Sequence, residues 1–255
     1  MLRTALKVLR YPGRSLETLR QRYFAPGSGH PDPEIRFMNR WIHGDLPRVE
    51  IEDLFPGLEA AQYSLVRGFD RTRNMSITLG EVNVLAALVS HLKCERILEI
   101  GTFDGGTTLN LAANLPEGGE VVTVDLPEEA GKMSLDASGF RDNRSKKETV
   151  GRQFRGRPEA ASIRQVFGDS ARVQPEDLGE PFDLVFIDGC HDRVYVESDS
   201  VLAEKVVRPG GTIVWHDYGM IRDVTEVLDA YEQEHPGTLH AVAGTRLVIR
   251  KMLES

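Results

Sequence analysis

The chain has 255 residues, 40% of them hydrophobic, and carries 31 Lys and Arg against 39 Asp and Glu, a net charge of −8. That length supplies one large core or a core with a small appendage. The acidic balance excludes a general nucleic-acid surface, and no apolar run reaches the ~20 residues needed to cross a bilayer. Lys7, Arg10 and Pro12 interrupt any signal-peptide character at the start, and Cys94 and Cys190 read as reduced thiols, so a cytoplasmic protein is expected.

Residues 1–24 set Leu2, Leu6 and Leu9 on one helical face among Arg3, Lys7, Arg10, Arg14, Arg20 and Arg22. Such a basic amphipathic segment lies on an anionic membrane surface or packs on its own protein or a sister subunit, and packing is the favoured alternative. Pro26, Gly27, Gly29, Pro31 and Pro33 mark a linker over 25–34. Short helices are expected at Ile35–Ile42 and Leu58–Asp70, making 1–74 a helical extension or cap. The domain proper, 75–255, opens on a helix from Thr78 through Leu79, Val82, Leu85, Leu88, Val89 and Leu92, with Thr78 and Glu81 spaced as a capping box.

Arg96–Ile100 is then a buried parallel strand, and the turn Gly101-Thr102-Phe103-Asp104-Gly105-Gly106 leads into a helix over about 106–114. Gly101 allows the tight turn, and Gly105 and Gly106 allow a ligand to approach or a positive φ. Val121–Asp125 is a second strand. Residues 127–161 form a long polar connection, basic from Lys132 to Arg157, with a helix expected near Lys146–Phe154. Ser162–Phe167, Phe182–Ile187 and Thr212–Trp215 are further strands. Helices at about Val194–Val207 and Asp223–Glu234 separate them, and Leu239–Val242 and Arg246–Arg250 close the chain as a hairpin-like pair. Strand and helix alternate throughout, which predicts an α/β doubly wound sheet.

Each predicted parallel strand ends in or beside a carboxylate: Glu99, Asp125, Asp169, Asp188 and Asp217. Unpaired carboxylates are costly to bury, so five gathered on one sheet edge point to a binding site.

The motifs E-I-G-T-F-D-G-G-T, V-V-T-V-D, F-G-D-S, F-D-L-V-F-I-D-G-C-H and P-G-G-T-I-V-W-H-D together resemble the class I S-adenosylmethionine-dependent methyltransferases, nearest the small-molecule O-methyltransferases of catechol and antibiotic-tailoring type. The resemblance covers about 75–250. It implies a Rossmann-like seven-stranded sheet whose last strand is antiparallel, and S-adenosyl-L-methionine as cofactor. Glu99, Gly101, Thr102, Phe103 and Gly105 match the positions around the cofactor's amino-acid end, and Thr107 matches a hydroxyl at the helix start. Asp125, followed by Leu126, matches the acid that takes the ribose hydroxyls; Asp169 and Ser170 match the adenine side. Met75 and Ser76 fall where relatives place a segment beside the methyl donor.

Asp188, His216 and Asp217 are the metal-ligand candidates the resemblance implies, for a divalent cation such as Mg²⁺. His216 stands where antibiotic-type relatives carry an acid, and Tyr218 where catechol-type relatives carry Asn. His191, three residues after Asp188, matches the general-base position. The implied acceptor is a hydroxylated small molecule such as a sugar or secondary metabolite. Arg141, Arg144, Lys146, Lys147, Arg152, Arg155 and Arg157 would favour an anionic one if 127–161 folds as a lid rather than as a solvated face. Relatives suggest a homo-oligomer. The competing readings are a nicotinamide- or nucleotide-sugar-dependent oxidoreductase, opposed by the missing G-x-G-x-x-G and Tyr-x-x-x-Lys, and a non-catalytic scaffold docked through 1–24.

Overall fold

In a computed structural model of the chain, residues 44–66, 77–137 and 145–254 are described. The expected helices at 1–24 and Ile35–Ile42, the linker at 25–34, and Met75, Ser76, Arg141 and Arg144 lie outside the described residues. The sheet elements are β1 (Arg48–Val49), β2 (Arg96–Ile100), β3 (Glu120–Asp125), β4 (Ile163–Phe167), β5 (Phe182–Ile187), β6 (Val207–Trp215), β7 (His240–Val242) and β8 (Val248–Lys251). The helices are α1 (Ile51–Leu54), α2 (Leu79–Leu92), α3 (Gly106–Ala112), α4 (Pro175–Leu178), α5 (Arg193–Val206) and α6 (Arg222–Glu234).

The strands form one sheet in the order β1-β7-β8-β6-β5-β2-β3-β4. Neighbours pair parallel except at β8, which runs antiparallel to both β6 and β7. The doubly wound sheet with its antiparallel last strand is therefore present. It is widened by one short edge strand that the sequence did not announce: β1 is only two residues long, held where Ala241 and Ala243 N–H groups donate to the Pro47 and Val49 carbonyls.

Period-two alternation on apolar strands divides the core between the two sheet faces. Leu98, Ile100, Val185 and Ile187 pack on one side with Val196, Leu202 and Ala203 of α5 and Val224 and Leu228 of α6. Ile97, Leu184, Phe186 and Val214 pack on the other with Leu85, Leu88 and Val89 of α2 and Leu111 of α3. α2 starts where the capping box put it: the Glu81 N–H donates to Thr78 Oγ1 at 3.2 Å, and Glu81 Oε2 accepts from the Thr78 N–H at 2.8 Å.

Two expectations need correction. Residues 146–154 are a chain of turns, not a helix: Gly151 sits at φ 70° and sends its N–H to the Phe103 carbonyl, which takes it out of any helical ladder. Leu58–Asp70 is described as far as residue 66, and among those residues only Leu58–Ala60 is helical, as one 3₁₀ turn, while 61–66 is irregular. There the Ser64 and Val66 N–H groups donate to the side-chain oxygens of Asn114 and Asn110 instead of to a helix of their own.

Candidate active site

β3, β2, β5 and β6 are consecutive parallel strands, so the residues that follow them share one sheet edge. Asp125, Gly101, Asp188 and Asp217 stand across that edge in order. At about 4.8 Å per strand, Asp125 and Asp217 are three spacings apart, about 14 Å.

The Asp125 end is built for a polar organic ligand. Gly101 turns at φ 102°, and a Cβ there would lie 2.1 Å from the Asp188 carbonyl oxygen, so only glycine lets the two loops touch. The next loop folds back on β3: the Phe103 N–H donates to Asp125 Oδ2 at 2.7 Å. Burial raises the Asp125 pKa, against the lowering effect of the Phe103 and Thr102 N–H groups. Glu99 is fully buried between β3 and α3, accepting from Thr123 Oγ1 at 2.6 Å and from Thr108 Oγ1. Its Oε1 has no partner among the described residues, and burial pushes its pKa up to about 8. A buried acid with one unsatisfied oxygen beside a glycine turn suits a ligand that brings its own donors, such as an ammonium group.

Thr102 and Gly105 take structural posts in this loop. Thr102 Oγ1 lies 2.7 Å from Thr123 Oγ1, and Gly105, at φ 82°, precedes α3. Asp104 is capped by the long connection: Gln153 N–H donates to its carbonyl at 2.9 Å, and Arg152 lies 3.7 Å from its Oδ2. Phe154 lies over Gly105, where a Cβ would meet its ring at 2.6 Å. Asp169 is likewise engaged by this connection, accepting from the Ser134 N–H at 2.6 Å and the Tyr195 hydroxyl at 3.0 Å. Burial alone would raise Asp169, but these bonds prevail and hold its pKa below the usual value. The 127–161 connection therefore docks on the loops that follow β2 and β4.

At the other end, Asp188, His191 and Asp217 bring ligand-type atoms within 4.8 Å of one another. The two carboxylate oxygens suit a small divalent cation, and the imidazole nitrogen stands beside them, in reach as a third ligand or as a base. His191 Nε2 is 2.9 Å from Asp217 Oδ2 and 3.6 Å from Asp188 Oδ1, close enough for ion pairing but without the alignment of a hydrogen bond. Burial works against its charge, but the two carboxylates outweigh burial and lift its pKa to about 9.

His216 is buried, and both its ring nitrogens are engaged, Nδ1 at 3.0 Å from Asp188 Oδ1 and Nε2 at 3.2 Å from Glu81 Oε2. Burial again opposes its charge, yet Asp188, Asp217 and Glu81 raise its pKa to about 10. Tyr218 faces elsewhere, donating to Asp229 Oδ1 at 2.5 Å and accepting from the Leu46 N–H at 2.9 Å.

Two residues that the motif reading passed over complete this end. Arg246 donates to Asp217 Oδ1 at 2.7 Å and, in a fork, to Glu81 Oε1 at 2.9 Å and Oε2 at 2.7 Å. A signal existed for both. Glu81 was visible only as half of a capping box, and Arg246 was a cation heading the apolar run Leu247-Val248-Ile249, where a buried charge needs a partner.

A family profile described as a methyltransferase domain matches residues 98–218. The catechol O-methyltransferase of Mycobacterium tuberculosis is 24% identical over 176 residues, which span 64% of this chain and 71% of that protein. The cofactor-bound structure of Rv0187 from MTB has a TM-score of 0.56 at 21% identity, covering 89% of this chain and 100% of its own. TomG of Streptomyces achromogenes, an O-methyltransferase involved in tomaymycin synthesis and solved with SAM, has a TM-score of 0.52 at 19% identity, covering 71% and 83%. The two structural likenesses speak for the fold alone. The 98–218 match, with the acid-ended strands it spans, identifies a methyltransferase domain in this chain.

Proposed function

We propose that the chain methylates a hydroxyl of a small molecule, with a divalent cation held by Asp188 and Asp217 and with His191 as the base. The observation that carries this reading is the convergence of Asp188, His191 and Asp217 at the end of the sheet edge beyond Gly101. Bound S-adenosylmethionine would supply an electrophilic methyl group, and a cation at the two carboxylates would lower the pKa of an acceptor hydroxyl.

The remaining tasks fall to the chain's own groups. Glu99 and the Gly101–Gly105 loop hold the cofactor's amino-acid end, with Thr107 at the start of α3. Asp125 takes the ribose hydroxyls, beside Leu126, and Asp169 with Ser170 borders the adenine. With Asp188 and Asp217 facing it alone, His191 keeps its proton at neutral pH. A cation held by Asp188 and Asp217 would offset the field that keeps this proton, and His191 would then be neutral and able to accept the hydroxyl proton. His216 orients Asp188 from behind.

The 127–161 connection, docked against Phe103, Asp104 and Asp169, is better placed to cover the cofactor than to select an anionic acceptor. The reading extends to a cytoplasmic protein, in keeping with two cysteines that form no disulfide, and to a homo-oligomer, as the resemblance implies.

A methyl-transfer assay with radiolabelled S-adenosylmethionine over phenolic, sugar and polyketide acceptors tests this reading. Activity is expected to vanish on exhaustive chelation and to return with Mg²⁺. The His191→Ala change is expected to lower turnover by about 10²-fold or more while leaving cofactor affinity nearly unchanged. Full activity after chelation would remove the cation from the proposal; equal losses of turnover and cofactor affinity would make His191 structural.

A further inference from the structure

Helix capping does not account for the surroundings of Glu81. Its carboxylate is wholly buried, and besides Thr78 it takes the Arg246 N–H at 2.8 Å, the Arg246 guanidinium fork and His216 Nε2. Arg246 in turn grips the loop after β6 from both sides. Its Nη1 donates to Asp217 Oδ1 at 2.7 Å, and its carbonyl accepts from the Tyr218 N–H at 3.1 Å. Beside those attachments Asp217 sits at φ 62°, a left-handed conformation uncommon for a residue other than glycine. Buried ion pairs contribute little net stability compared with apolar residues of similar size, so such a network is better explained by the geometry it imposes.

We propose that Glu81 and Arg246 are positioning residues for methyl transfer: they fix Asp217 directly, and Asp188 through His216, in the arrangement the acceptor end needs. The inference rests on the functional reading above, since it assigns the two acids to that end. Arg246 also takes one oxygen of Asp217 and His216 takes one of Asp188, while Asp217 Oδ2 is turned toward His191. On Asp217 the network thus selects which carboxylate oxygen faces the acceptor, whereas Asp188 Oδ1 is shared between His216 and His191. The guanidinium fork is specific to arginine, so lysine at 246 would keep the charge and lose the geometry.

The test uses the full chain with Glu81→Gln and, should that variant not fold, Arg246→Lys. Mn²⁺ affinity by electron paramagnetic resonance is expected to weaken by about 10-fold or more, while S-adenosylmethionine affinity by calorimetry stays within about two-fold. With catechol as the probe acceptor, turnover is expected to fall by about 10²-fold, as a misplacement near 1 Å would produce, with KM for S-adenosylmethionine unchanged. Crystal structures of the variants decide independently of activity: an Asp217 carboxylate unmoved within about 0.5 Å overturns the proposal. A parallel loss of cofactor affinity, Mn²⁺ affinity and thermal stability overturns it too, by showing a purely structural role. If the wild type neither binds Mn²⁺ nor methylates catechol, the cation reading or that acceptor fails alone, and the Asp217 position still decides this inference.

Discussion

Among single residues, Glu99 has the most informative chemistry. It is the penultimate residue of β2, and burial lifts its pKa from 4.5 to about 8 against the lowering effect of Thr108 and Thr123. The folded, cofactor-free chain therefore holds a proton there that the unfolded chain has lost by neutral pH. The stability linked to that proton is fully present below pH 4.5 and is lost as pH rises through about 8. Glu99→Gln imitates the protonated acid, so its stability relative to wild type should improve steadily from pH 5 to pH 8 in urea denaturation; a constant difference would place the ionised acid in the fold. An incoming ammonium would reverse the preference. Cofactor binding at pH 7 should then release a proton, visible as a calorimetric enthalpy that depends on the buffer.

Among the elements, the entry to α3 and the 127–161 connection act together. Gly105, at φ 82°, lies under Phe154, and a Cβ there would also stand 2.9 Å from the Gly151 Cα. The phenyl ring can turn aside, but the backbone of Gly151 is tied to the Phe103 carbonyl. Gly105→Ala should therefore push the connection away from the cofactor loop and weaken S-adenosylmethionine binding by about 10-fold or more, since the left-handed backbone alone costs about 1–2 kcal/mol. Unchanged affinity by calorimetry would show that the connection is a passive cover. At this scale the sequence located the long helices and the inner strands to within a few residues, because apolar period and caps are local signals. It expected a helix at Lys146–Phe154 because nothing local revealed that the N–H of Gly151 would be drawn to Phe103, 48 positions earlier.

At the scale of the molecule, the end of the sheet edge at Asp188 and Asp217 is a buried charge network, and stability should follow its titration. His191 and His216 rise from 6.5 to about 9 and about 10, so their contribution is fully present below pH 6.5 and is lost as pH climbs through those values. Glu81, Asp188 and Asp217 are lowered, each by charged partners that outweigh burial, so their contribution is present above the usual carboxylate values of 4.5 and 3.8 and fades in acid. With chelator present, Tm should peak between about pH 4.5 and 6.5, and His216→Asn should flatten the alkaline limb. A Tm that is flat from pH 6.5 to 10 in the wild type would mean that these rings are neutral in the fold.

The sequence by itself determined the sheet, the glycine turn after β2 and the row of acids on one edge. Strand periodicity, glycine's conformational range and the cost of a carboxylate at an apolar strand end are properties of short stretches of chain. Only the tertiary structure decided that His216 lies between Glu81 and Asp188, that Arg246 clamps Asp217, and that the long connection rests on the loop after β2. Glu81 meets His216 across 135 positions and Arg246 across 165. No local pattern encodes which buried charges will become neighbours; that follows from the order in which the strands are laid into the sheet.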